Sequence, residues 1–182
     1  MIVIMAGLPG TGKSTLARAL APQLPGAVLD KDIIRAALFE PGRVEYSQEQ
    51  DDLCQEIMLQ TAAYLLAKDA GLHILFDGRT FSRRYQRESV ITFCGHVGTA
   101  WATVECVCAE ETALRRLAEA VAQNNHPAAN RKPELYKQIR REWEPIGLPK
   151  LVIDTDTNLD ACVHSVLRYI AVSTARSGHP RR

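Results

Sequence analysis

The sequence predicts an α/β domain built on a parallel sheet. Five short apolar runs alternate with helical patterns along the chain, the signature of βαβ units. Three of those runs end in an acid: Asp30, Asp77 and Asp154. Sheets of this kind bind ligands at the carboxyl ends of their strands. In addition, a glycine-rich turn separates the first run from the first helix.

The elements follow in order. Ile2 to Met5 is a short, wholly apolar strand. Residues 13–21 carry a helical pattern that Pro22 stops. Ala27 to Asp30 is the second strand, and the helix over 32–39 is broken by Pro41-Gly42. Ser47, with Gln50 three residues on, forms a capping box that opens a long helix running to Gly71. Leu72 to Asp77 is the third strand, 82–94 a helix, and 99–109 contains the fourth strand. Helix 111–122 gives way to a polar, Pro-punctuated loop over 123–130. Residues 133–143 are helical, Leu151 to Asp154 is the fifth strand, and 157–174 the last helix. One domain, 1–176, holds these elements, and the Gly/Pro/Arg-rich tail 177–182 is expected to be disordered.

The 182 residues fit one domain, and 46% apolar with 24% charged composition excludes collagen-like and disordered chains. No stretch nears the ~18 apolar residues of a membrane span. The N-terminus lacks a basic segment and cleavage site, so no secretory signal is expected. A net charge of +1 gives no global drive toward nucleic acid or anionic membrane. Five cysteines without metal spacing fit thiols kept reduced in a cytoplasm. Cys106 and Cys108 are two apart on a strand and are expected to fill core on one face.

Gly7-Leu8-Pro9-Gly10-Thr11-Gly12-Lys13-Ser14 satisfies G-x-x-x-x-G-K-[ST], with Thr15 following, after a strand and before a helix. Glycines let successive N–H groups turn inward around an anion, and the helix adds its positive dipole end. Lys13 is expected to reach the β- and γ-phosphates, and the Ser14 hydroxyl to ligate Mg²⁺. The motif occurs once and no Asn-Lys-x-Asp guanine-reading motif is found, which favours a small ATP-dependent phosphotransferase.

The acceptor side should follow the second strand. Asp32 and Arg35, three apart, share a helix face. A carboxylate near the attacking oxygen and a guanidinium for an anionic part of the acceptor suit transfer to a hydroxyl. The competing reading makes Asp30 or Asp32 a helix cap and Arg35 a solvated side chain. Asp77, ending an apolar strand in the Walker B manner, is expected to hold Mg²⁺ through water and to orient the acceptor. Arg79, Arg83, Arg84 and Arg87 follow without an intervening acid, and Arg79 and Arg87 are candidates to hold a phosphate-rich acceptor. His73 reads as structural. A lid is expected over about 111–143, with Arg116 and Arg131 on the transferring phosphoryl group and Arg115 in a surface ion pair with Glu111 or Glu119.

Together these pieces resemble the small P-loop kinases that include 5′-polynucleotide kinase domains, zeta-toxin-like kinases and uncharacterised ATP-binding kinases. Gly-Leu-Pro-Gly-Thr-Gly-Lys-Ser-Thr at 7–15 looks like their P-loop. Asp32-Ile33-Ile34-Arg35 matches an Asp-x-x-Arg in which, by that resemblance, the Asp is the general base and the Arg holds the acceptor phosphate. Phe76-Asp77-Gly78-Arg79-Thr80-Phe81 is similar to an Asp-Ala-Thr-Phe segment, with Gly78-Arg79 replacing one small residue. Asn130 to Tyr136 and Trp143-Glu144-Pro145 look like the lid-to-last-strand segment. The resemblance implies strand order 2-3-1-4-5. The family often carries a second lid Arg soon after the first. None follows Arg116 at 117–121, so either Arg131 takes that role or closure is weaker. The expected activity is ATP- and Mg²⁺-dependent transfer to a hydroxyl of a small or nucleotide-like acceptor. The rivals are a 5′-polynucleotide kinase and a nucleotide switch that transfers nothing.

Overall fold

The computed structural model describes residues 1–123, 133–147 and 149–177. Five strands, β1 (Ile2–Ala6), β2 (Gly26–Asp30), β3 (His73–Asp77), β4 (Trp101–Val107) and β5 (Leu151–Asp154), form one sheet in the order β2-β3-β1-β4-β5. Every pairing is parallel. The helices are α1 (Lys13–Leu20), α2 (Lys31–Leu38), α3 (Gln48–Lys68), α4 (Arg84–Val97), α5 (Glu110–Gln123), α6 (Pro133–Arg141) and α7 (Leu159–Ser177). Ser177, expected in the tail, ends α7, and 178–182 lie outside the described residues.

β1 is buried along its whole length, which its unbroken apolar sequence requires of a central parallel strand. Its side chains alternate between two cores. Val3 and Met5 join Leu16, Leu20, Val163 and Val166 beneath α1 and α7. Ile2 and Ile4 join Met58, Ala62, Phe76 and Val90 beneath α3 and α4. Phe76, paired with Ile4, is fully buried and ties β3 to the second core.

Two local expectations need correction. Only half of the Ser47 capping box forms. Ser47 Oγ accepts from Gln50 N at 3.2 Å, but the Gln50 amide turns to Glu45 N and the Arg43 carbonyl instead. Strand β4 ends at Val107, so alternation does not carry through Cys108. Cys106 fills the first core, while half-buried Cys108 packs on a third cluster with Ala113, Leu117 and Tyr136. Burial pushes the Cys106 thiol up to about 12, and all five cysteines are free.

Candidate active site

Ends of β1, β2 and β3 and starts of α1 and α2 converge at one edge of the sheet. Gly7 turns there with φ +144°, and a Cβ at this position would lie 2.4 Å from the Cys106 carbonyl oxygen. Only glycine fits that approach. Gly7 N donates to Thr80 O at 3.0 Å, so the segment after β3 braces the loop. Thr11 Oγ1 donates to Leu8 O, closing the turn from within. Lys13 is buried, with Nζ donating to the carbonyls of Gly7 and Leu8, both at 2.8 Å. The ammonium therefore sits at the rim of the loop, where an anion in the cradle would meet it.

At the end of β2, Asp30 caps α2. Its Oδ1 accepts from Asp32 N at 2.8 Å and Ile33 N at 3.4 Å. Capping thus belongs to Asp30, and Asp32 is left for other work. Burial and the neighbouring Asp77 raise the Asp30 pKa. Asp32 is 4% exposed and accepts from Arg35 Nη1 at 3.0 Å, with Lys31 Nζ 3.2 Å away. Arg35, 2% exposed, is no solvated side chain: it also pairs with Asp51, and Tyr46 lies 5.1 Å beneath its guanidinium. Lys31 Nζ reaches Asp51 as well, at 2.8 Å. Burial pulls the Lys31 pKa down to about 8 against the pull of Asp32.

Pro9, Lys13, Lys31, Asp32, Arg35, Tyr46, Asp51, Gly78 and Arg79 line one pocket, together with Leu135 and Ile139 of α6. The sequence reading missed Lys31, Tyr46 and Asp51. Asp51 stands in the first turn of α3, where an acid is ordinary, and no spacing in the sequence marks it. Tyr46 is one of two non-glycine residues with positive φ among those described, at 53°. The other is Phe81, three residues after Gly78.

The arginine run behaves differently from expectation. Arg79 lines the pocket, but its Nη1 and Nη2 are committed to Gln55 Oε1, Asp51 O, Asp52 and Tyr85, which leaves the buried Nε without a partner among the described residues. Arg87 is absent from the pocket lining. It donates to the carbonyls of Phe81 and Pro145 and braces the chain around the site. Arg83 pairs with Glu142, and Arg84 with Glu88. Arg79, Arg83 and Arg87 find partners in distant segments, which inspection of the run alone could not show, whereas Arg84 pairs within its own helix.

On the other side of the P-loop, Gly12, Thr15, Leu16, Arg116, Thr155, Thr157 and Leu159 line a second cleft. Arg116 Nη1 donates to Thr155 Oγ1 at 3.1 Å and Nη2 to Thr155 O at 3.0 Å. Thr155 Oγ1 lies 3.0 Å from Thr11 O, so α5 is tied to the back of the loop. Arg115 pairs with Glu119 in solvent, as expected. The segment 123–130 expected as a lid tip, apart from Gln123, and Arg131 lie outside the described residues.

The donor set fits a magnesium ion. Asp77 is 1% exposed and its Oδ1 has no partner among the described residues, as suits an oxygen that accepts from a metal-bound water. The Ser14 hydroxyl, one residue after Lys13, makes no side-chain bond to a described residue. No cluster of three or more His, Cys, Asp or Glu able to hold a metal occurs among those residues. Mg²⁺ needs none, since it binds through one or two protein oxygens, waters and substrate phosphates.

A family model described as an AAA domain matches residues 2–146. The chain belongs to the AAA domain family. Solved structures agree on the fold of this AAA domain. A candidate kinase from Chloroflexus aurantiacus shares 24% identity at TM-score 0.71, covering 92% of this chain and 96% of its own. The Mycobacterium tuberculosis APS kinase in complex with AMPPNP and APS shares 19% at TM-score 0.63, covering 93% and 96%. A gluconokinase from Sinorhizobium meliloti shares 16% at TM-score 0.66, covering 98% and 97%. The AAA domain thus has the fold of the small P-loop kinases. No curated protein sequence matches it.

Proposed function

We propose that this AAA domain is an ATP- and Mg²⁺-dependent kinase that transfers the γ-phosphoryl group to a hydroxyl of a small or nucleotide-like acceptor in the cytoplasm. One observation carries the reading: Asp32, relieved of capping by Asp30, is buried between Lys31 and Arg35 in the pocket that Lys13 also lines. A nucleotide switch has no use for such a carboxylate.

The P-loop N–H groups and Lys13 hold the β- and γ-phosphates, and the cleft beside Arg116 and Thr155 takes the nucleoside. Ser14 and Asp77 would hold Mg²⁺, which supplies charge neutralisation on the transferring group. The acceptor oxygen attacks the γ-phosphorus as the bond to the ADP oxygen breaks. Asp32 accepts the hydroxyl proton, and Lys31 and Arg35 hold its carboxylate in place. Leu135 and Ile139 put an apolar wall on the pocket, which disfavours water beside the phosphoryl group.

The test is transfer from labelled ATP to a panel of sugars, nucleosides and 5′-OH oligonucleotides, with and without Mg²⁺. Phosphorylated acceptor formed only with Mg²⁺ supports the reading. ATP binding with no transfer to any acceptor would replace it with the switch.

A further inference from the structure

The acceptor pocket is already charge-balanced. Its three acceptor-side cations are Lys31, Arg35 and Arg79. Lys31 and Arg35 are each held by both Asp32 and Asp51, and Arg79 by Asp52 at 2.5 Å. Three cations therefore meet three carboxylates before any acceptor arrives. The further arginines that could have served an anion, Arg83, Arg84 and Arg87, are bonded to Glu142, Glu88 and backbone carbonyls. Lys13 belongs to the nucleotide phosphates.

Resting on the kinase reading above, we infer that the acceptor is a small uncharged polyol or sugar, and that Asp51 is the residue that sets this preference. A phosphate or carboxylate placed here would lose its hydration. It would gain no cation that lacks a carboxylate among Lys31, Arg35 and Arg79, only the Nε–H groups of Arg35 and Arg79 that have no partner among the described residues, and it would face Asp51 and the γ-phosphate. A hydroxyl suffers none of this. It donates to a carboxylate and accepts from an N–H within the same balanced set. Asp51 is suited to that exchange. Both its ion pairs use Oδ1, no described residue bonds its Oδ2, and its side chain is 26% exposed. Leu135 and Ile139 offer the apolar wall that a sugar's C–H face packs on. Arg35 then differs from the acceptor-phosphate holder that the resemblance implied. Here the guanidinium is a brace for Asp32 and Asp51 instead of an anchor for an acceptor anion.

The experiment uses matched pairs: glycerol and glycerol 3-phosphate, ribose and ribose 5-phosphate, glucose and gluconate. Transfer from ATP is measured on the full chain. Acceptor binding is measured in parallel by calorimetry with a non-hydrolysable ATP analogue. The wild type should favour the neutral member of a pair by about tenfold or more in kcat/KM. Asp51→Asn, which leaves one cation unbalanced, should shrink or reverse that ratio through KM of the anionic member. Preference for anionic members by the wild type overturns the inference and leaves the kinase reading standing. Neutral members that bind without being phosphorylated would do the reverse. Binding of neither class overturns the inference directly. An unchanged ratio in Asp51→Asn, in protein that still binds ATP, removes Asp51 from specificity.

Discussion

Asp32 and Lys31 are neighbours in sequence with opposite tasks, and each makes a prediction. Asp32→Asn keeps the shape of the pocket and cannot take a proton. Turnover should fall about 10²–10⁴-fold while ATP affinity survives, because the P-loop lies on the other side of the transferred group. Asp30, not Asp32, caps α2, so loss of a cap cannot produce that result. Near-normal transfer would take Asp32 out of the mechanism. Lys31 makes a pH prediction. Its folded pKa, about 8, is below its ordinary 10.5. Below pH 8 it is charged in both states. Between pH 8 and 10.5 the unfolded chain holds more protons, so Lys31 makes stability rise with pH across that window. The slope is at most about 1.4 kcal/mol per pH unit. Lys31→Met should flatten it, as urea unfolding at pH 8 and pH 10 will read. Asp32 was legible from its offset to the P-loop. Asp51 was not, because its partners are 16 and 20 residues away and only the packing of α2 on α3 joins them.

At the scale of elements, the turn after β3 positions the start of α2. Gly78 has φ +81°, and a Cβ there would lie 2.5 Å from Asp30 Oδ1 and 2.7 Å from Lys31 N. Gly78→Ala should therefore destabilise the fold by about 1–3 kcal/mol through strain and a displaced cap. It should also lower kcat, since Lys31 and Asp32 move with the cap. Chemical denaturation and turnover on one preparation measure both, and a silent variant would show that the turn tolerates a side chain. Helix α5 separates two arginines by their surroundings. Arg115 is in an exposed i,i+4 pair with Glu119, worth about 0.3–0.5 kcal/mol. Arg116 ties Thr155 to the loop. Arg116→Ala should raise KM for ATP several-fold, and Arg115→Ala should leave it unchanged. The opposite order would invert this assignment.

For the whole molecule, nucleotide binding is coupled to folding because the cradle between β1 and α1 packs against Cys106 of β4 and Ala113 of α5. A ligand that binds only the folded chain adds about 2.7 kcal/mol at a hundred times its Kd. ATP with Mg²⁺ should therefore raise the melting temperature of the wild type, and Lys13→Ala should lose most of that rise along with transfer. A full shift in the variant would place the nucleotide elsewhere. The sequence by itself determined the strands, the helices and the P-loop, because periodicity and glycine placement are local properties of the chain. It also placed Asp32 and Asp77 at or just past the carboxyl end of an apolar strand. The strand order came with the resemblance, and the parallel pairings bear it out. Only the tertiary structure decided which acid caps α2, which cations are already paired, and that Arg79 and Arg87 act as braces. Those outcomes depend on which side chains from distant segments meet. A buried charge is satisfied by whatever the fold brings within about 3 Å, and no spacing in the sequence records that.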